Sequence, residues 1–295
     1  MKNSVYKNNL NDSYFNELTN IFKEKNWDIN DIEVENIFNN FCQRLTDLKS
    51  DEKRELILDL TKRYEWIKFD VYESYLLDVF NQLFSSREWN FFWKQRKPGK
   101  NICITSLNDN PNITKSGSVV LYLIQSFVLR VESYFANEQI RLFDNFEALN
   151  KHKNEFDVII YVDDYIGSGL SVLSGLNKIK DINCEKYIVC LAAQQEGIEL
   201  IKTQTNINVY AKLIRNKGIS DYYDENVKKH KLDLMKQISQ ELNAGKNNLL
   251  GYHDSEALIS LIRTPNNTFP VFWLENKNYG NAPFSRKTNI KFVRE

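Results

Sequence analysis

Cysteine is sparse in this 295-residue chain, and its copies stand apart: Cys42, Cys103, Cys184 and Cys190 form no C-x-x-C pair and have mostly apolar neighbours. That spacing argues against a zinc site or a disulfide framework and fits buried thiols in a reducing compartment. Long apolar runs are missing too. Nowhere do about 18 apolar residues run together, as a membrane span requires, and the start, Met1 to Ser13, is polar and lacks the apolar stretch of a signal peptide. A cytoplasmic protein with no membrane contact is the expectation. Excess charge of either sign is also absent. Lys+Arg and Asp+Glu both number 39, which removes the uniform positive field of a general nucleic-acid binder and leaves room only for a local basic patch. His152, His230 and His253 are not spaced as metal ligands on one element, and the run Lys228-Lys229-His230-Lys231 reads as a solvated face. There is no internal repeat, low-complexity tract or long linker.

What is present belongs to an ordinary soluble globular chain, with 42% hydrophobic and 26% charged residues. Its length suffices for one large domain or two modest ones. From Asp12 to about Phe84 apolar residues recur at helical spacing, as in Val34, Ile37, Phe38, Phe41 and Leu45, then Val71, Tyr75, Leu76, Val79, Phe80 and Leu83. The aromatics on these stripes read as core. After the polar run Lys94 to Lys100, a strand is expected at Ile102 to Leu107. A polar loop, Asn108 to Ser118, and a helix buried on nearly every face, Val119 to Phe135, should follow. Further strands are expected at Asp157 to Val162, Tyr187 to Ala193 and Ile207 to Ile214, with helices at Gly169 to Ile179 and Glu196 to Thr203. Glu225 to Leu242 reads as a charged helix, and Ala257 to Ile262 and Pro270 to Leu274 as two short strands. Continuous apolar strands alternating with helices predict an α/β fold with a mainly parallel sheet, because parallel neighbours need a crossover helix. The expected division is a helical N-terminal segment, 1–95, and an α/β domain with a small C-terminal hood, 96–295.

Chemistry concentrates in Asp157-Val158-Ile159-Ile160-Tyr161-Val162-Asp163-Asp164-Tyr165-Ile166-Gly167-Ser168-Gly169-Leu170-Ser171. Ligands of open α/β sheets bind beyond the carboxyl ends of strands, where two adjacent acids can accept hydrogen bonds from vicinal hydroxyls. Asp163 and Asp164 are expected at such an end. The small residues that follow let the backbone fold tightly and turn N–H groups toward an anion at a helix start, with Ser168 and Ser171 adding hydroxyls. The G-x-x-x-x-G-K-[ST] loop of nucleotide triphosphatases is absent, and Gly167-Ser168-Gly169 lacks the G-x-S-x-G spacing of a hydrolase elbow.

This run resembles the phosphoribosyl-pyrophosphate motif of type I phosphoribosyltransferases, an apolar strand, an acidic pair, two apolar residues and a Thr-Thr-Gly-Gly-Thr type loop. The resemblance implies that Asp163 and Asp164 hold the ribose 2′ and 3′ hydroxyls, and that Gly167, Ser168, Gly169, Leu170 and Ser171 hold the 5′-phosphate. Gly-Ser-Gly-Leu-Ser stands here for the family's loop, so the hydroxyl at position 167 is lost. Upstream, Lys115-Ser116-Gly117-Ser118 stands where that family binds pyrophosphate, and a simple helix start fits it equally well.

A more specific similarity is carried by Ala192-Ala193-Gln194-Gln195-Glu196-Gly197, Gly251-Tyr252, Ser255-Glu256-Ala257-Leu258 and Thr264-Pro265-Asn266-Asn267-Thr268-Phe269-Pro270-Val271-Phe272-Trp273. From about Val34 onward the chain resembles the phosphoribosyltransferase-like effectors of bacterial conflict systems, some of which accompany retron reverse transcriptases in phage defence. Asn266 and Asn267 either read a base or a substrate amide, or bond their own backbone in a turn. The resemblance implies a phosphoribosyltransferase-like effector of an antiphage defence system that uses phosphoribosyl pyrophosphate with Mg²⁺ held mostly by the substrate. An alternative is a non-catalytic module that senses a phosphoribosyl compound or nucleotide and signals to a partner protein. The N-terminal helices could also dock a reverse transcriptase, its nucleic acid or a second effector subunit. A Lys115 to Ser118 segment turned toward the acids favours catalysis.

Overall fold

The computed structural model describes residues 10–94, 101–108, 110, 115–131, 133–135, 138–152, 154–179 and 182–286. The polar start and the run at 95–100 therefore lie largely or wholly outside the described residues, as do 109 and 111–114 of the expected polar loop. The chain forms two compact units, one running to Trp66 and resuming at Lys217, the other spanning Ile67–Asn216.

The first unit begins with α1 (Asp12–Glu24), α2 (Ile32–Asp47) and α3 (Asp51–Lys62). Each of the first two starts where a side chain takes up free N–H groups: Asn11 accepts from Ser13, and Asp31 from Glu33 and Val34. Their apolar stripes bury Leu18, Ile21 and Phe22, then Val34, Ile37, Phe38, Phe41 and Leu45, then Leu56, Ile57 and Leu60. Phe22 meets Trp27, Phe38 and Phe41 edge-on at 4.9, 5.0 and 5.8 Å, so these aromatics are core. A two-residue strand, β1 (Glu65–Trp66), closes this part.

The second unit opens with α4 (Tyr72–Ser85) and α5 (Arg87–Lys94) and continues through β2 (Asn101–Ser106), α6 (Ser116–Leu123), α7 (Leu129–Val131), β3 (Gln139–Phe143), α8 (Phe146–Asn150), β4 (Val158–Ile166), α9 (Leu170–Leu176), β5 (Glu185–Gln194), α10 (Gln195–Thr205) and β6 (Asn208–Arg215). The strands form one sheet in the order β3-β2-β4-β5-β6, every pair parallel. The α/β fold with a parallel sheet is thus as expected, and β4 is its central strand. Val158 to Val162 and Tyr187 to Ala193 are fully buried because neighbouring strands and covering helices leave them no solvent face. Cys103 and Cys190 lie in this core and Cys42 in that of the other unit, and all four cysteines are free. Burial pushes the Cys42 thiol up to about 12 and Cys184 to about 11, so neither is a nucleophile at neutral pH.

Several expectations are corrected here. The edge strand β3 was not anticipated; its residues are only partly buried, so its sequence, Gln-Ile-Arg-Leu-Phe, carries no continuous apolar run. The helix expected at Val119 to Phe135 is neither regular nor buried all round. It widens into a π-turn at Ile124–Val128, and Val119, Tyr122 and Val131 are exposed. Leu170 is exposed as well, while α9 buries Val172 and Gly175 and packs the partly buried Leu173 and Leu176 on the core.

The chain then re-enters the first unit with α11 (Glu225–Glu241), β7 (Ile259–Ser260) and α12 (Pro270–Trp273). β7 pairs in parallel with β1 and is much shorter than the strand expected at Ala257 to Ile262. Pro270 to Trp273 is a helical turn, not a strand: proline at its start has the backbone angle a helix needs and loses no hydrogen bond there, and Leu274 N–H bonds back to the Pro270 carbonyl at 2.8 Å. The division at residue 95 also differs from the compact units found. Helical periodicity shows that a helix has an apolar face but not which surface covers it, and α4 and α5 belong to the sheet unit while α1 to α3 share a core with α11 and α12. Among the described residues no helix is long and apolar enough to cross a membrane.

Candidate functional site

Both acids lie inside β4 rather than past its end, since the strand runs on through Tyr165 and Ile166 while β5 continues beside it to Ala193. Asp163 pairs in register with Cys190 and is half-buried, and Asp164 is 6% exposed. The Asp164 N–H donates to Asp163 Oδ1 at 2.9 Å, which fixes the first carboxylate against the second residue's backbone. Burial, and next the neighbouring Asp164 charge, hold the Asp163 carboxyl well above the ordinary range, with Lys115 opposing. Burial also raises Asp164, against the hydrogen bond it receives from Ser116. Two adjacent carboxyls in a poorly solvated place form a site that gains from hydroxyl donors or a cation.

The upstream segment meets this pair directly. Lys115 stands before α6, and Ser116, Gly117 and Ser118 form its first turn, so the helix-start reading holds structurally. Ser116 Oγ donates to Asp164 Oδ1 at 2.7 Å. A side chain on Gly117 would stand 3.3 Å from Asp163 Oδ1 and from the Val162 carbonyl, so glycine lets the start of α6 lie against the acidic strand.

Downstream, Gly167, Ser168 and Gly169 form a bend between β4 and α9. Gly169 has φ +78°, a left-handed conformation that favours glycine, and its carbonyl receives the Leu173 N–H at 3.0 Å. Ser171 is exposed on α9. A partner that sequence reasoning did not assign a role secures this bend: Gly197, in the first turn of α10. A Cβ there would meet the Gly167 carbonyl oxygen at 2.0 Å and the Gly169 nitrogen at 3.1 Å. Its signal was a glycine just inside a helix, where propensity argues against it unless another backbone comes close. Tyr165 stands beside the acids in β4. Its buried hydroxyl has no hydrogen-bond partner among the described residues, and burial followed by the Glu196 charge raises its pKa.

Asn266 and Asn267 belong to the other compact unit. Asn267 is buried, and its amide donates to Ser255 Oγ at 2.8 Å and the Tyr252 carbonyl at 3.3 Å. The Asn266 carbonyl accepts from Tyr252 N–H, Thr268 Oγ1 donates to the Ile259 carbonyl, and Trp273 Nε1 donates to the Thr268 carbonyl. The Asn267 side chain is thus engaged by residues 12 and 15 positions earlier in the chain rather than by the backbone of its own turn. Phe272 is fully buried against Tyr64 and Phe41. His152 and His230 are surface groups beside Glu155 and Glu52.

Among solved structures the chain is similar to an orotate phosphoribosyltransferase from Aeropyrum pernix, at 13% identity over 59% of this chain and 75% of that one with a TM-score of 0.30. A xanthine-guanine-hypoxanthine phosphoribosyltransferase from Helicobacter pylori is 14% identical over 52% of this chain and 84% of its own, TM-score 0.28. The AQ2163 protein from Aquifex aeolicus is 14% identical over 61% and 84%, TM-score 0.31. No curated protein sequence matches the chain. The sequence profile described as PRTase-CE matches residues 34–286, a span that takes in the acidic strand and both loops beside it, and the chain belongs to that family.

Proposed function

We propose that the chain binds a phosphorylated ribose, phosphoribosyl pyrophosphate first of all, at the carboxyl end of β4 and acts at its C1 as a phosphoribosyltransferase. The observation that carries this reading is the 2.7 Å bond from Ser116 to Asp164 beside Gly117 packed on Asp163, which joins the upstream loop to the acidic pair. In such a reaction the C1–O bond breaks with its electron pair leaving on pyrophosphate, positive charge spreads over C1 and the ring oxygen, and the acceptor forms the new bond to C1. The protein chiefly positions groups and stabilises charge. Asp163 and Asp164 accept hydrogen bonds from the ribose hydroxyls, the Gly167 to Ser171 bend receives the 5′-phosphate, and Lys115 to Ser118 face the leaving group.

Mg²⁺ fits this donor set. Asp163 and Asp164 place two adjacent carboxyls in the site, as suits an ion held mainly by substrate oxygens with few protein ligands. When bound, the ion would neutralise charge on the departing pyrophosphate. Membership of the PRTase-CE family and the resemblance of the segments around Gly197, Gly251 and Asn266 to conflict-system effectors support a role as the effector of an antiphage, retron-associated system. The position of Ser116 and Gly117 favours catalysis over a purely sensing module.

The test incubates purified protein with phosphoribosyl pyrophosphate, Mg²⁺ and a mixture of nucleotides and RNA, and follows pyrophosphate release. Release by the wild type that disappears in Asp163→Asn with Asp164→Asn is expected. Binding without release would leave the sensing module, and neither binding nor release would overturn the assignment.

A further inference from the structure

Helix α5 carries a feature that the ribose site does not use. Trp89 is fully buried beneath it, against Phe84 and Tyr187 at 5.1 and 5.4 Å, so the helix is anchored on one side. Its outer side presents Arg87, Phe91 and Lys94, spaced i, i+4 and i+7 and hence on one stripe. All three are exposed, Phe91 to 66%. A helical rise of about 1.5 Å per residue sets the two cations about 10 Å apart along the axis with the ring between them. Arg87, Glu88, Asn90, Phe91 and Lys94 line a groove of about 540 Å³.

Neither Arg87 nor Lys94 has an ion-pair or hydrogen-bond partner among the described residues, whereas the Asn90 amide is spent on the Phe84 and Ser86 carbonyls. An exposed aromatic flanked by two unspent cations is poorly suited to an apolar partner, which would have to desolvate both charges. It suits a polyanion with flat faces. Cations take the phosphates, and the ring stacks on a base without regard to sequence. The charge of the chain agrees, since the sequence following Lys94 carries Arg96, Lys97 and Lys100 with no acid among them, although the stripe does not depend on these residues. The whole chain has no net charge, so attraction of this kind is confined to the patch.

We propose that the Arg87–Phe91–Lys94 face of α5 docks single-stranded nucleic acid, the two cations holding phosphates and Phe91 stacking on a base. This surface is separate from the β4 site and holds whether or not that site transfers ribose.

The test measures fluorescence anisotropy of labelled mixed-sequence single-stranded 12-mers with full-length protein over a range of salt. Wild type should bind at low salt. Phe91→Ala should weaken binding roughly 5- to 100-fold, in line with the loss of one stacked base, and Phe91→Trp should restore it. Arg87→Ala with Lys94→Ala should lower the slope of log affinity against log salt by roughly 1.4, the share of two phosphate contacts on a single strand. All these side chains are exposed, so circular dichroism and melting temperature should stay at wild-type values and separate lost docking from lost folding. No binding by the wild type, or equal affinity in the Arg87→Ala, Phe91→Ala, Lys94→Ala protein, would overturn the proposal. So would equal competition by polyglutamate, which would assign the face to an acidic polypeptide.

Discussion

Replacing Gly197 with alanine tests how the Gly167–Gly169 bend is held. Helix propensity alone favours the change by about 1 kcal/mol, because glycine in a helix loses more backbone freedom on folding than alanine does. The structure opposes it. The added methyl carbon would lie 2.0 Å from the Gly167 carbonyl oxygen, about 1.4 Å short of ordinary contact, and the obstacle is backbone that cannot rotate away. Either α10 or the bend must move by that amount. Overpacking of this kind costs about 1–3 kcal/mol, so the net effect should be a destabilisation of roughly 0–2 kcal/mol. Binding should suffer more than stability, because the displaced atoms are the bend between the acidic strand and α9. Gly245→Ala provides the comparison. Its Cβ would find only the Asn248 amide at 3.7 Å, and its φ of −58° suits any residue, so that variant should gain about 0.4–1 kcal/mol. Thermal melting of both variants and calorimetry against phosphoribosyl pyrophosphate make the assay. Wild-type affinity together with a raised melting temperature in Gly197→Ala would refute the interlocking of bend and helix.

The acidic pair should also leave a mark on pH dependence. Both carboxyls are raised in the folded chain relative to an ordinary carboxyl, so the ligand-free fold takes up protons that the unfolded chain has released. Their contribution to stability is therefore greatest in acid and falls as pH rises from about 4 through the raised values. Measured as a difference in melting temperature, Asp163→Asn with Asp164→Asn should match or exceed wild type at neutral pH and lose that advantage toward pH 4; a difference that does not vary with pH would contradict the buried, mutually repelling pair. In the other unit Glu256 is 2% exposed, sits at φ +50°, and accepts from the Ile219 and Ser220 N–H groups at 3.0 and 2.7 Å and from Ser220 Oγ. Glu256→Ala strands those donors and should cost about 2–4 kcal/mol by denaturant titration, whereas a loss under about 1 kcal/mol would mean that water replaces the carboxylate.

Sequence by itself determined where most strands and helices of the sheet unit lie, because the central strands β4 and β5 are buried on both faces and so appear largely as unbroken apolar runs. It also marked Asp163, Asp164 and the glycines after them, since acids and left-handed turns are poor company for an apolar strand without a purpose. Tertiary structure decided what local pattern cannot encode. Whether Pro270 to Trp273 turns as a helix or extends as a strand depended on where Phe272 could be buried, since four apolar residues suit either period. The half-buried edge strand β3 gained its place only by pairing with β2. Why Gly117 and Gly197 must be glycine became legible only with coordinates, for the reason is another backbone brought close by the fold from far along the chain. The same holds for Ser116, which lies 48 residues from the carboxylate it binds. Hydrophobic periodicity records which side of an element is buried, and only the folded chain specifies against what.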